Sequence, residues 1–123
     1  MSIQDVVVVS VPVSDQERAK AFYVNDLGFE LVSEDDSVPG FHWIRVAPKG
    51  GSTALSLVTW FDSMPAGSHR GLVLTSSDLQ ADYEELLAKG VPFDGPPERP
   101  PYAPAGEAVC RDPDGNMLIL QQA

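Results

Sequence analysis

A chain of 123 residues, 43% hydrophobic, is long enough to bury one good core and too short for two independent domains of ordinary size. Its 18 acids against 8 bases give a formal charge of −10, which opposes the phosphate contacts on which nucleic-acid affinity largely rests and so excludes a nucleic-acid partner. A single cysteine, Cys110, excludes a disulfide scaffold, and with no Cys or His neighbour at ligand spacing it also excludes a zinc ribbon.

The longest uncharged apolar run, Val6 to Val13, falls far short of the roughly 20 residues that span a bilayer, and no basic segment precedes an apolar one at the start of the chain. A soluble, cytoplasmic protein without a membrane partner is therefore expected. Ile3 to Val13 is dense in β-branched residues and reads as a strand buried on both faces. A helix follows directly, its start marked by Ser14 and Glu17 as a reciprocal capping box and its end by Gly28. Phe29 to Ser33 reads as a short strand, and the acidic Glu34 to Gly40 as a loop. Phe41 to Ala47 alternates, with Phe41, Trp43 and Arg45 on one face and His42, Ile44 and Val46 on the other; two glycines then turn the chain into a strand over Thr53 to Phe61.

Asp62 to Arg70 is the expected linker. Beyond it Gly71 to Thr75 reads as a strand and Ser77 to Gly90 as a second helix, with Ser77 and Gln80 in capping positions. Pro92 and Phe93 begin a return strand, and Gly95 to Pro104, with five prolines, is irregular. Glu107 to Arg111 and Met117 to Gln121 flank D-P-D-G-N, whose Asp114-Gly115 pair suits a tight turn. Ser14 and Ser77, which open the two helices, lie 63 residues apart, about half the chain, so the order strand, helix, strands occurs twice. The expectation is one α+β domain over 1–123, built of a module at about 1–62 and another at about 71–123.

With the phrases V-S-D, A-F-Y and L-G-F near the start and D-P-D-G-N near the end, the sequence resembles the vicinal oxygen chelate superfamily, which includes glyoxalase I, extradiol dioxygenases, fosfomycin-inactivating transferases and bleomycin-binding resistance proteins. The resemblance implies two βαβββ modules, each a curled mixed sheet forming a half-barrel with its helix outside, paired to enclose a cavity. It also implies metal-ligand positions, which here fall on Val8, on or near Ser56, on Gly71 and on Ile119. None suits a hard divalent cation, so no metal, no cofactor and no catalytic residue is expected. His69 lies two residues from Gly71 and reads as a loop residue, while His42 has no carboxylate at recognisable spacing. Cys110 reads as a buried strand residue.

The strand parity implied by the same positions turns Val6, Ser10, Ala54, Val58, Trp60, Val73, Thr75, Met117 and Gln121 toward the concave side. Leu55, Leu57, Leu72, Leu74, Leu118 and Leu120 then lie beneath the helices. Candidate ligand-binding residues are Ser10, Trp43, Arg45, Ser56 and Trp60, with Tyr102 from the proline-rich loop. The function expected is that of a metal-independent small-molecule-binding protein of the bleomycin-resistance kind. It would sequester a hydrophobic, aromatic or cationic ligand such as an antibiotic, and would act as a homodimer. Two alternatives stay open: a glyoxalase- or dioxygenase-like enzyme with an unusual or lost metal site, and a protein-interaction module using the same concave surface.

Overall fold

In the computed structural model, which describes residues 1–123, the chain divides between Pro65 and Ala66 into two units. In the first, Asp15 rather than Ser14 caps helix α1 (Gln16–Ala21), its carboxylate accepting from the Arg18 amide at 3.1 Å. Asp and Ser cap about equally well, and here the residue one step later takes the part. After Ala21 the helix widens to a π turn over Phe22–Asp26, with the Leu27 amide donating to the Phe22 carbonyl. Gly28, at φ 74°, lets the Phe29 amide fold back onto the Tyr23 carbonyl and closes the helix.

The sheet of this unit has the order β1-β4-β3-β2, with β1 (Val8–Pro12) parallel to β4 (Ala54–Val58) and both β3 (Phe41–Ala47) and β2 (Glu30–Val38) antiparallel to their neighbours. Two expectations are corrected. The first strand is five residues long, not eleven, because it pairs only with β4; ahead of it Ile3, Val6 and Val7 are exposed, not buried on both faces. The acidic stretch read as a loop is most of β2, a nine-residue edge strand exposed throughout, where charge is tolerated because no second layer covers it. Its register against β3 slips between Leu31 and Ser33 and again between Asp35 and Val38.

One face of this sheet carries the unit's core. Val11, Ile44, Val46 and Leu57 are fully buried, and Ala19, Phe22 and Tyr23 of the helical segment are buried as well. Burying side chains of this size stabilises the unit by about 1.5 to 3 kcal/mol each, before chain entropy is counted.

The second unit has a three-stranded sheet of order β5-β7-β6, from β5 (Leu72–Ser76), β6 (Glu107–Arg111) and β7 (Met117–Gln122). Helix α2 (Leu79–Ala88) is capped by Asp78, whose carboxylate accepts from the Ala81 amide, where Ser77 was the expected cap. Leu79 and Leu86 are buried, as are Ala108, Cys110, Leu118 and Leu120 of the sheet. Leu72 and Leu74, also expected under the helix, are only half-buried, since β5 is an edge. The return strand expected at Pro92 is reduced to two bridges, Phe93 to Cys110 and Glu98 to Glu107, because the prolines that follow cannot continue a ladder. Each unit is thus α+β, with a mixed sheet and a helix.

Candidate ligand-binding site

Strand pairing puts opposite residues on the same face of a sheet. In the first unit Ser10 pairs with Ser56, Ser56 with Arg45 and Arg45 with Ser33, so a single row of three hydroxyls and one guanidinium crosses all four strands. The row lies on the face opposite the helix-covered core. Trp43 is the next residue of β3 on that face, and Val58 the next of β4.

The pairing between β3 and β4 runs from Val46 and Leu55 to Arg45 and Ser56. Just beyond it, the Gln16 side-chain amide donates to the carbonyl of His42 at 2.6 Å and to that of Leu57 at 2.8 Å, so it satisfies both strands where their ladder ends. On the row's side of the sheet, four aromatic rings gather at this end. Trp43 and Trp60 meet edge to face with centroids 4.8 Å apart, Phe41 stacks on Trp43 at 6.2 Å and abuts Trp60 at 5.2 Å, and Phe61 lies 6.3 Å from Trp60. Such contacts are worth about 0.5 to 1.5 kcal/mol each beyond burial. The two indoles are half-buried, and Phe41 and Phe61 remain 39% and 45% exposed, so the cluster presents ring surface to solvent.

Arg45 is half-buried and has neither an ion pair nor a hydrogen bond. Lys20, Lys89 and Arg111 by contrast each hold a carboxylate, Arg70 donates to the carbonyls of Gly67 and His69, and Arg18 donates to Ser14. The other two unpaired bases, Lys49 and Arg99, are exposed. Beside Arg45 in the row, the Ser56 hydroxyl is buried without a hydrogen-bond partner.

Four of the six expected binding residues, Ser10, Trp43, Arg45 and Ser56, therefore share one face of one sheet; the fifth, Trp60, lies just past the end of β4 at Val58, short of the strand to Phe61 that was expected, and joins them through its ring contact with Trp43. The sixth, Tyr102, belongs to the second unit, where it is 75% exposed and its hydroxyl donates to Glu107 at 2.7 Å. That bond is the main reason the phenol's pKa is raised. Ser33, Phe41 and Phe61 were missed. A bulge brings Ser33 opposite Arg45, and no periodicity marks a bulge.

The positions at which the resemblance would place metal ligands do not fit a divalent cation: Val8 and Ile119 offer no donor atom, Gly71 no side chain, and Ser56 a neutral hydroxyl. His69 is held by its backbone, its amide donating to the Asn116 side chain and its carbonyl accepting from Met117. His42 does have a carboxylate partner that sequence spacing did not reveal, Glu34, at 2.7 Å. Glu17, Glu34 and His42 present ligand atoms within 4.8 Å of one another, but the Lys20 ammonium already sits 3.1 Å from Glu17 and 3.0 Å from Glu34. It is an ion network with its own cation. The Lys20 hydrogen bond is the largest cause holding the Glu34 carboxyl below its usual range, with His42 adding to it.

Residues 5–120 match the model of the Glyoxalase/Bleomycin resistance protein/Dioxygenase superfamily. The protein YetH of Bacillus subtilis (strain 168) is 31% identical over 98% of this chain and 99% of its own. Among solved structures, TnmS3, an antibiotic binding protein from Streptomyces sp. CB03234, superposes with a TM-score of 0.92 at 48% identity, covering 99% of this chain and 98% of its own. A member of the glyoxalase/bleomycin resistance protein/dioxygenase superfamily from Sphaerobacter thermophilus DSM 20745 gives 0.93 at 34% identity, over the whole of both chains.

Proposed function

Since the chain belongs to the glyoxalase/bleomycin resistance protein/dioxygenase superfamily, we propose that it is a metal-independent small-molecule-binding protein that sequesters a planar aromatic compound of antibiotic type on the aromatic face of its first unit. The observation that carries this reading is the four-ring cluster, whose half-exposed indoles offer stacking surface beside the polar row. The likeness to an antibiotic binding protein at 48% identity supports it. So does the donor chemistry at Val8, Ser56, Gly71 and Ile119, which gives a catalytic cation nothing to hold.

In this reading the protein works in the cytoplasm as a homodimer. Exposed Leu31, Val32 and Val38 on the edge strand β2 support the dimer, because an uncovered apolar edge favours pairing. No helix is long and apolar enough to cross a membrane.

Tryptophan fluorescence tests the reading. Titration with planar aromatic compounds, bleomycin-like glycopeptides among them, should quench emission and raise the melting temperature. Trp60→Ala, if folded, should lose roughly 1 to 3 kcal/mol of binding. Unchanged affinity in folded Trp43→Ala and Trp60→Ala would overturn it.

A further inference from the structure

Resting on that reading, we infer that the ligand of this site carries an acidic oxygen group, a carboxylate or phenolate, on its aromatic rings, and that Arg45 selects it.

Three observations converge. In a chain of net charge −10, Arg45 is half-buried without an ion pair or a hydrogen bond. Leaving a guanidinium unneutralised where carboxylates are plentiful keeps all its donors for an incoming anion, and its planar fork suits a carboxylate in particular. Its neighbours in the row, Ser10, Ser56 and Ser33, are hydroxyls and not acids, so nothing beside it in the row competes for it. The Ser56 hydroxyl is buried with its hydrogen bond unmade, and an oxygen brought to Arg45 would lie next to it.

The spacing matches the chemistry. Same-face neighbours on a strand are about 7 Å apart, so Arg45 and Trp43 together fit a ligand with an acidic group at the edge of two or three fused rings. The overall charge argues the other way, for a cation. That field is screened within about 10 Å at ordinary ionic strength, whereas a charge-assisted contact at Arg45 is not. The one acid beside Trp43, Asp35, is exposed on β2 and accepts from the Ser37 amide at 2.8 Å.

The test is calorimetric titration of the full chain with three ligands of one shape: 2-naphthoate, 2-naphthamide and 2-naphthylmethylammonium. Naphthoate should bind about tenfold more tightly than naphthamide, and the ammonium most weakly. In Arg45→Gln the naphthoate advantage should fall to within twofold while naphthamide binds as before. In Trp60→Ala all three should weaken by a similar factor. Ser56→Ala should melt no lower than the native protein, since it loses an unsatisfied hydroxyl, yet bind naphthoate several-fold more weakly. Equal binding of naphthoate and naphthamide, tightest binding of the ammonium, or a naphthoate advantage that survives in Arg45→Gln would overturn the inference and leave the aromatic-ligand reading standing. Binding of none of the three would overturn both.

Discussion

The Gln16 side-chain amide donates to the main-chain carbonyl of His42 across 2.6 Å, and this bond from helix to sheet is made where the aromatic cluster begins. The same nitrogen serves the Leu57 carbonyl at 2.8 Å, so removing it would leave two part-buried acceptors unmatched. Gln16→Ala should cost about 1 to 3 kcal/mol in denaturant unfolding. It should also weaken planar-ligand binding, because the β3 and β4 ends that hold Trp43 and Trp60 lose their common tether. Full stability with unaltered tryptophan emission would show the tether to be idle.

In the second unit, the D-P-D-G-N phrase proves to be a buried clamp. The Asp112 carboxylate accepts from the Asp114 amide at 2.9 Å, the Asn116 amide at 3.0 Å and the Asn116 side chain at 2.8 Å, with both residues almost wholly buried. Asp112→Ala leaves these donors unmatched and should cost at least about 2 kcal/mol. Gly67 should be equally intolerant. It sits at φ 81°, and a Cβ there would collide with the Asp114 carbonyl oxygen, which belongs to backbone and cannot swing aside. Gly67→Ala should lower the melting temperature, and a melt unchanged from native would contradict that geometry.

Much of this architecture is legible in the residues, and the misses have physical causes. Phe41 to Ala47 alternates cleanly and forms β3 with those ends, because one face meets the helix and the other does not. Gly28 and Gly90 adopt the positive φ that ends a helix. The caps shifted by one residue because Ser14-Asp15 and Ser77-Asp78 each offer two competent oxygens side by side. The acidic second half of β2 escaped detection, although Phe29 to Ser33 read as a strand, because an edge without a second layer imposes no alternation on its side chains. Its bulges then decided which residues face Arg45 and His42, so neither Ser33 in the row nor the Glu34 partner of His42 could be counted out from spacing.

Cys110 should be chemically silent in the native protein. Burial is the chief reason its pKa is pushed up to about 12, with Asp112 and Asp94 adding to it and Arg111 opposing. At pH 8 only about one thiol in ten thousand would be ionised, and the thiolate is the species that reacts. A disulfide reagent such as dithionitrobenzoate should release no colour from folded protein and one equivalent after guanidinium is added. Rapid release from the folded chain would place the sulfur in an open, electropositive setting instead.

The proposed homodimer can be checked by light scattering, which should give about twice the 13.2 kDa of the chain. Changing Leu31 and Val32, which lie exposed on β2, to lysine should shift the mass toward one chain without unfolding it, since neither side chain contributes to the core. A mass of 13.2 kDa at every concentration would remove the dimer.

The last prediction concerns pH and the network of Lys20, Glu34 and His42. The Glu34 carboxyl is held below its ordinary value, first by the hydrogen bond from Lys20 and then by that from His42, so its contribution is fully present above the unfolded-state value and is lost as pH falls through the lower folded one. Lys20 is raised, chiefly by Glu34 and then by Glu17, so its contribution is complete below its ordinary value and is lost only as pH rises through the higher folded one. Between these limits, from about pH 5 to about pH 10, the pair should add a constant increment. The increment is small, because the groups lie at the surface and salt screens them. Melting of native protein and Glu34→Gln should therefore differ by a fixed amount from about pH 8 to about pH 10, a window clear of the ordinary imidazole range, and the two curves should converge as pH falls through the lowered Glu34 value and in high salt. Curves that stayed apart in the most acidic range, below the ordinary carboxylate values, would mean that the charge of Glu34 is not what stabilises the native protein.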